Sequence, residues 1–157
     1  MWNWAQGEQT GEFPMLSQFV FSTYTKESVS LEYFRTIGVK NDTICKSLGF
    51  TGRVFANEVA NFNIIEGEAE RVKEYSTAFT SDQRVKVQIT HVDKYIQTRV
   101  FSDYQVWSYH SKAREDLPPQ IHKLTAFNFD SSVPFNISLA LRILLEGYVF
   151  ENLKVAA

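Results

Sequence analysis

The sequence has few of the residues that supply covalent or metal chemistry. Its 157 residues include a single cysteine, so no disulfide can form within the chain, and no cysteine–histidine cluster has zinc-site spacing. A net charge of −2 gives no electrostatic reason to expect nucleic acid or an anionic membrane surface as a partner. No apolar run is long enough to span a bilayer, and the N-terminus carries no signal-like segment. We therefore expect a cytoplasmic protein with neither a nucleic-acid nor a membrane partner.

Catalytic motifs are also lacking. The sequence contains no nucleophile–base–orienter pattern and no glycine loop of the kind that binds phosphates. His91, His110 and His122 have no carboxylate or thiol at metal-ligand spacing, and Cys45 fits a packed core position better than a reactive thiol. We expect no enzymatic activity and no metal site.

What the chain does contain is enough apolar and aromatic residues to bury a core, at 44% and 15% of the sequence. Alternating and helical apolar spacings predict strands and helices in the order βαββαβ, followed by a further short strand. Ser28 or Ser30 is predicted to cap the first helix, and the second helix is predicted to begin at Gly67. Asn136 is the predicted N-cap of a last helix whose apolar stripe includes Leu141 and Leu144.

This order predicts an α+β, ferredoxin-like fold. We expect a mixed sheet of about five strands with two helices on one face and a C-terminal helical extension packed on the other. Residues 1–14 are predicted to form a tail, 15–110 the domain, and 111–157 the extension. Trp2, Trp4 and the last helix are candidate contacts for a protein partner.

Several motifs in register resemble one known family. They lie between Gln18 and Trp107 and are Phe50-Thr51-Gly52, Phe62-Asn63-Ile64-Ile65-Glu66-Gly67, Ser81-Asp82-Gln83-Arg84 and Arg99-Val100-Phe101. With the first strand and helix at matching spacing, they resemble a BLUF domain, a blue-light sensor that binds FAD. No single motif is specific, so the resemblance depends on their order and spacing.

The resemblance also locates a flavin site, at Phe21, Cys45, Asn63 and Arg84. In the family a strand-one Tyr is hydrogen-bonded to a Gln that contacts the flavin, and light rearranges that pair. Here Phe21 has no hydroxyl, Asn63 is one methylene shorter than Gln, and Cys45 replaces an Asn that holds the flavin's polar edge. Losing two or three hydrogen bonds would weaken flavin binding roughly ten- to a thousandfold. Arg84 stays at a position suited to a flavin phosphate.

Two hypotheses follow from this resemblance. The first is a BLUF-like binding or structural module without photochemistry, which acts through a protein partner or as a homo-oligomer. Such modules occur in ciliary microtubules, so a cytoskeletal or ciliary location is expected if the organism is eukaryotic. The second is an FAD-binding photoreceptor with altered switching. On the first hypothesis we expect no cofactor, and FAD is the cofactor if one is bound.

Overall fold

Six strands form one mixed sheet in the described part of the chain. The computed structural model describes residues 15–25, 27–81, 85–113 and 117–149, with backbone alone for 85–94. The strands are β1 Leu16–Thr25, β2 Thr51–Ala56, β3 Ala60–Glu68, β4 Val85–Ile96, β5 Tyr104–Ser108 and β6 Ile121–Lys123. The helices are α1 Leu31–Ser47, α2 Ala69–Thr80, α3 Ala126–Ser132 and α4 Leu139–Tyr148.

The strand order is β4-β1-β3-β2-β5-β6. The first four strands in this order pair antiparallel, and the β2–β5 and β5–β6 pairs are parallel. The predicted ferredoxin-like α+β fold with a mixed sheet is confirmed. Strand β6 adds a sixth strand to the predicted five, because its three residues are too short to show an alternating pattern.

Each face of the sheet carries its own core, as the strand alternation predicts. The face under α1 and α2 buries one cluster, which includes Phe19, Phe21, Cys45, Phe50, Val54, Ile65, Val72, Tyr104, Val106 and Ile121. The opposite face buries Val20, Phe55, Phe62, Ile64, Phe101 and Leu124 against residues of the C-terminal extension, namely Phe129, Ile137, Leu141, Leu145 and Tyr148. The predicted position of the extension is thus the observed one.

The helix starts agree only in part with the sequence-based predictions. Ser30 caps α1, where its hydroxyl accepts from the Tyr33 N–H at 3.2 Å. The Asn136 prediction is wrong: Ser138 caps α4 by accepting from the Leu141 N–H at 3.2 Å. The predicted start of the second helix at Gly67 is also wrong, because Gly67 pairs in the β1–β3 ladder.

One side-chain prediction in the last helix needs correction, and one glycine in α1 is explained by its packing. Leu144, placed on the apolar stripe of the last helix, is 41% exposed, and the neighbouring Leu145 is fully buried instead. Gly38 interrupts α1 in sequence, but a Cβ there would lie 2.4 Å from Cδ1 of Ile121. The glycine therefore allows α1 to approach β6 closely.

Some predictions concern residues outside the described ranges. They are the tail 1–14 with Trp2 and Trp4, and Arg84 of the flavin site. Among the described helices, none is both long enough and apolar enough to cross a bilayer.

Candidate functional site

Three of the motifs that carry the family resemblance meet at a buried carboxylate. Glu66, at the end of β3, is fully shielded from solvent. Its oxygens accept from the backbone N–H groups of Val100 at 2.9 Å and Phe101 at 3.0 Å. They also accept from Gln18 Nε2 at 2.9 Å and Thr51 Oγ1 at 3.0 Å. The carboxylate thus joins β1, β2, β3 and the segment before β5, and its role is structural.

Gly52 and Arg99 complete this network. Gly52 has φ +148°, and a Cβ there would lie 1.9 Å from the carbonyl oxygen of Ile64, so only glycine fits. The Arg99 guanidinium donates to the Gly49 carbonyl at 2.9 Å, to Thr51 Oγ1 at 3.0 Å and to the Glu66 carbonyl at 3.2 Å. The shared motifs therefore stabilise the fold, and they do not by themselves form a flavin site.

Phe21 occupies the position at which the resemblance places the switching Tyr. It lies in the centre of β1, directly opposite Asn63 of β3, and is fully buried. Its ring stacks on Phe19 with centroids 4.6 Å apart and meets the edge of Phe79 from α2 at 5.1 Å. The ring is packed on these sides by other aromatic rings, in line with its apolar character.

Cys45 lies on the inner face of α1 and is fully buried. It lies in the same cluster as the phenol rings of Tyr104 and Tyr75. Burial raises the pKa of the thiol above its ordinary 9.0, and the two hydroxyls lower it in part. Burial also raises the pKa of each phenol above its ordinary value. Because Tyr75 belongs to α2, these three residues pack together where α1 and α2 approach each other, at the predicted site of the flavin's polar edge.

Of the predicted flavin-site residues that the structure describes, Asn63 is the one that faces open space. It lines a cleft of about 890 Å³ between α1 and the sheet, together with Tyr104, Phe79 and residues of α1 such as Phe34 and Ile37. Its amide NH₂ donates to Oδ1 of Asn61. The cleft lining includes neither Phe21 nor Cys45 among the described residues. The structure therefore separates the predicted site residues: Asn63 lines the cleft, and the other two lie in the packed core.

The flavin contacts implied by the resemblance do not fit this arrangement. Cys45 is a weak hydrogen-bonding group that is packed beside two phenols, Tyr104 and Tyr75. Phe21 has no polar side-chain atom that could hydrogen-bond to a flavin. The cleft itself has the volume of a typical small-molecule site, which is about 300–1,000 Å³. Space for a ring system exists, but it is shifted along the sheet from the expected contacts.

Sequence reasoning missed two features of this region. The packing of Tyr75 beside Cys45 brings together residues thirty positions apart on different helices, and no local pattern predicts it. The burial of Glu66 is the second feature, because a charged residue beside Glu68 and Glu70 has the pattern of an exposed helix face. A clue was available for Glu66, since it continues a strand whose alternating residues are apolar.

The fold and cleft define an α+β domain with a small-molecule-sized space between a helix and a ferredoxin-like sheet. The family model for BLUF, described as sensors of blue-light using FAD, matches residues 16–108. The chain belongs to the BLUF family. No curated protein matches it.

Solved structures of BLUF proteins share the fold. The BLUF domain of BlrP1 is 18% identical, with a TM-score of 0.60, and the match covers 91% of this chain and 92% of that one. A calcium and cyclic-diGMP complex of BlrP1 from Klebsiella pneumoniae is 18% identical, with a TM-score of 0.64 and coverage of 87% and 34%. A bacterial light-regulated adenylyl cyclase is 20% identical, with a TM-score of 0.55 and coverage of 87% and 36%. The chain thus spans about a third of the length of the last two proteins.

Proposed function

We propose that this BLUF-family chain is a binding or structural module without the light-driven switch, and that it works through protein contacts. The observation that carries the proposal is the Phe21 ring, which is buried opposite Asn63 and packed against Phe79. A switch based on proton and electron transfer from a phenol has no donor at this position. Tyr104 is a buried phenol of the same core, and burial raises its pKa, which opposes the loss of its proton.

Exposed apolar side chains on the C-terminal extension support the proposed protein contacts. They are Phe127 at 80%, Phe135 at 106%, Leu139 at 74% and Ile143 at 61% exposed. Leu139 and Ile143 lie one turn apart on α4, so they share a face. Apolar groups on one element in water favour association. A second copy of the chain is the partner to test first, by sedimentation of the wild type and of a Leu139→Lys, Ile143→Lys variant; dissociation of a wild-type dimer by the variant supports this surface.

The test of the lost switch is optical. Protein purified with excess FAD is expected to show no bound-flavin absorbance and no thermal stabilisation by FAD, because tight binding would raise apparent stability. A flavin band that shifts reversibly to the red under blue light would overturn the proposal.

The second candidate is an FAD-binding domain with altered switching. The cleft of about 890 Å³ beside Asn63 favours it, because this space could take a tricyclic ring. In the same experiment this candidate predicts a bound-flavin band without the reversible shift, or with an altered one. FAD is thus the cofactor on this candidate, and none is expected on the first. A cytoskeletal or ciliary location remains a prediction that applies if the source organism is eukaryotic.

A further inference from the structure

His110, which follows β5, is a buried histidine whose protons can be assigned from its partners. The residue is 2% exposed. Its ring atom Nδ1 lies 3.1 Å from the backbone nitrogen of Lys112, and Nε2 lies 3.1 Å from the carbonyl oxygen of Val29. A backbone N–H can only donate and a carbonyl can only accept, so Nδ1 carries no proton and Nε2 carries one. This assignment makes His110 the neutral Nε2–H tautomer.

The imidazole connects two segments of the chain through these hydrogen bonds. Val29 lies in the loop before α1, next to the N-cap residue Ser30. Lys112 lies in a turn in which the Ala113 N–H donates to the His110 carbonyl at 2.9 Å. That turn leads from β5 into the C-terminal extension. The histidine therefore fastens the start of the extension to the start of α1.

A carboxylate lies beside the ring nitrogen that has no proton. Glu58 Oε2, in the turn between β2 and β3, is 3.9 Å from Nδ1, which is too far for a hydrogen bond. It accepts from the Ser111 N–H at 3.1 Å and from the Ser111 hydroxyl. Desolvation raises the pKa of Glu58, but hydrogen bonds from Ser111 and from the backbone lower it by more, so the net direction is downward. Glu58 therefore keeps its charge in weakly acidic solution.

The other partners of the imidazole come from two further elements. They are the Val29 carbonyl in the loop before α1 and the ring of Phe34 on α1, whose centroid is 5.2 Å away. The Lys112 side chain, on the same turn as His110, is exposed. Among these described partners from other elements, only Glu58 carries a charge, so it is the group that responds to a charge on His110.

We propose that His110 is a proton-sensitive clasp, whose protonation transfers Nδ1 from the Lys112 N–H to the Glu58 carboxylate. A proton bound at Nδ1 faces the Lys112 N–H, so two donors meet and that hydrogen bond is lost. A small movement of the turn then brings the imidazolium into hydrogen-bond distance of Glu58, where the opposite charge stabilises it. The bond from Nε2–H to Val29 is kept in both states.

The clasp gives the domain a response to acid at the point where the C-terminal extension begins. Protonation loosens the turn that Lys112 and Ser111 share, because the first loses its acceptor and the second must share the Glu58 carboxylate. This device goes beyond the proposed function, because it requires neither a flavin nor a protein partner. Its test therefore does not depend on the outcome of the FAD experiment.

Amide hydrogen exchange of Lys112 tests the clasp in the full chain. The exchange is measured at about pH 7.5 and about pH 5.5, an interval in which histidine side chains titrate. Protection factors are compared, because they remove the intrinsic pH dependence of exchange. We expect the protection of the Lys112 amide to fall about tenfold at the lower pH, the effect of one lost hydrogen bond. Equal protection at both pH values would overturn the proposal.

His110→Asn separates the clasp from any general effect of acid. An asparagine side-chain oxygen can accept from the N–H two residues along, as Nδ1 does here, and it does not titrate. We expect Lys112 protection in this variant to be the same at both pH values. His122→Asn, at an exposed histidine of β6, is the matched control and should keep the wild-type fall. A fall in His110→Asn as large as in the wild type would reject His110 as its cause.

Glu58→Gln tests the carboxylate. Glutamine keeps an oxygen for Ser111 but has no charge for an imidazolium, so the loss of Lys112 protection should require a lower pH. An unchanged pH dependence would reject the transfer to Glu58. If His110→Asn does not fold, ¹⁵N NMR of the wild-type ring nitrogens decides instead. Protonation of Nδ1 without a change in Lys112 protection would then reject the clasp, and protonation with a matching loss of protection would support it.

Discussion

The carboxylate of Glu66 accepts a hydrogen bond from the backbone N–H of Phe101 at 3.0 Å, across thirty-five residues of sequence. With the Val100 N–H, Gln18 and Thr51 it satisfies four donors in a site closed to solvent. The family motifs around Glu66 and Arg99 are therefore explained by packing and hydrogen bonding, and they can persist in a chain that has changed its flavin-contacting residues.

The first prediction concerns this network. Glu66→Ala should lower the free energy of unfolding by at least about 3 kcal/mol, because several buried donors lose their acceptor at about 1–3 kcal/mol each. Urea unfolding measures the change. Glu74→Gln, on the exposed side of α2, is the control and should stay within about 0.5 kcal/mol. A Glu66→Ala change as small as the control's would mean that the network adds little to stability.

The second prediction compares two glycines with positive φ. Gly49 has φ +74° and open space where a Cβ would lie, whereas a Cβ at Gly52 would meet the Ile64 carbonyl. Gly49→Ala should cost about 1–2 kcal/mol of stability, the usual penalty for an L-residue in the left-handed region. Gly52→Ala should cost clearly more, because the β2–β3 pairing must open. Thermal unfolding of both variants tests this, and equal losses would contradict the close approach.

The third prediction is a loss of stability at alkaline pH. Cys45, Tyr75 and Tyr104 have folded-state pKa values raised by burial above their ordinary 9.0, 10.0 and 10.0. As pH rises through those ordinary values, the groups ionise in the unfolded chain but keep their protons in the folded one. The unfolded state then binds fewer protons, so stability falls, by about 1.4 kcal/mol per pH unit for each such group.

Urea unfolding between pH 7 and 10.5 checks this slope. Stability should be level with respect to these groups below pH 8 and should decline from about pH 9, the ordinary value for a thiol. In Cys45→Ala the decline should begin nearer the phenol value of 10.0. Identical profiles for the two proteins would show that the thiol is not protected from ionisation in the fold.

The fourth prediction concerns the attachment of the C-terminal extension. Arg53 is buried on the sheet face opposite α1 and α2, where it donates to the Ser132 carbonyl at 2.6 Å and pairs with Asp103 at 2.9 Å. Arg53→Met should cost about 2 kcal/mol, since buried carbonyls lose their donor. It should also speed amide exchange in α3. Arg71→Met, at an exposed pair on α2, should change neither quantity; equal exchange in α3 of both variants would rule out this attachment.

The sequence predicted the fold where the signal is local. Alternating apolar residues in Ala60–Ile65 predict a strand, and the structure places Phe62 in the core of one face and Asn63 beside the cleft on the other. The sequence-based prediction failed where distant contacts determine the local structure. Gly67 was predicted to begin a helix, but it continues a strand because it pairs with Ser17. The candidate site was predicted residue by residue from the resemblance. Of its three residues that the structure describes, Phe21, Cys45 and Asn63, only Asn63 lines the cleft. The packing of Tyr75 beside Cys45 and the burial of Ser108 depend on tertiary structure, which one sequence does not reveal.

The last prediction restores the family's flavin contacts. The triple variant Phe21→Tyr, Cys45→Asn, Asn63→Gln should bind FAD at least tenfold more tightly than the wild type, because each regained hydrogen bond contributes about 0.5–1.5 kcal/mol. Flavin fluorescence quenching measures the affinity. Phe127→Ser is the control and should not bind FAD better.

The packing of Tyr75 makes the triple variant informative even if it does not bind. Asparagine is larger than cysteine, and position 45 is fully buried in the cluster that also contains Tyr75 and Tyr104. The same three substitutions with Tyr75→Ala would reopen the space between α1 and α2. If only the quadruple variant binds FAD, the loss of flavin binding is due to the packing of Tyr75. If the triple variant binds FAD, the loss is due to the three substituted side chains themselves. Failure of both would mean that the chain has lost the flavin site through its backbone, and that restoring side chains cannot recover it.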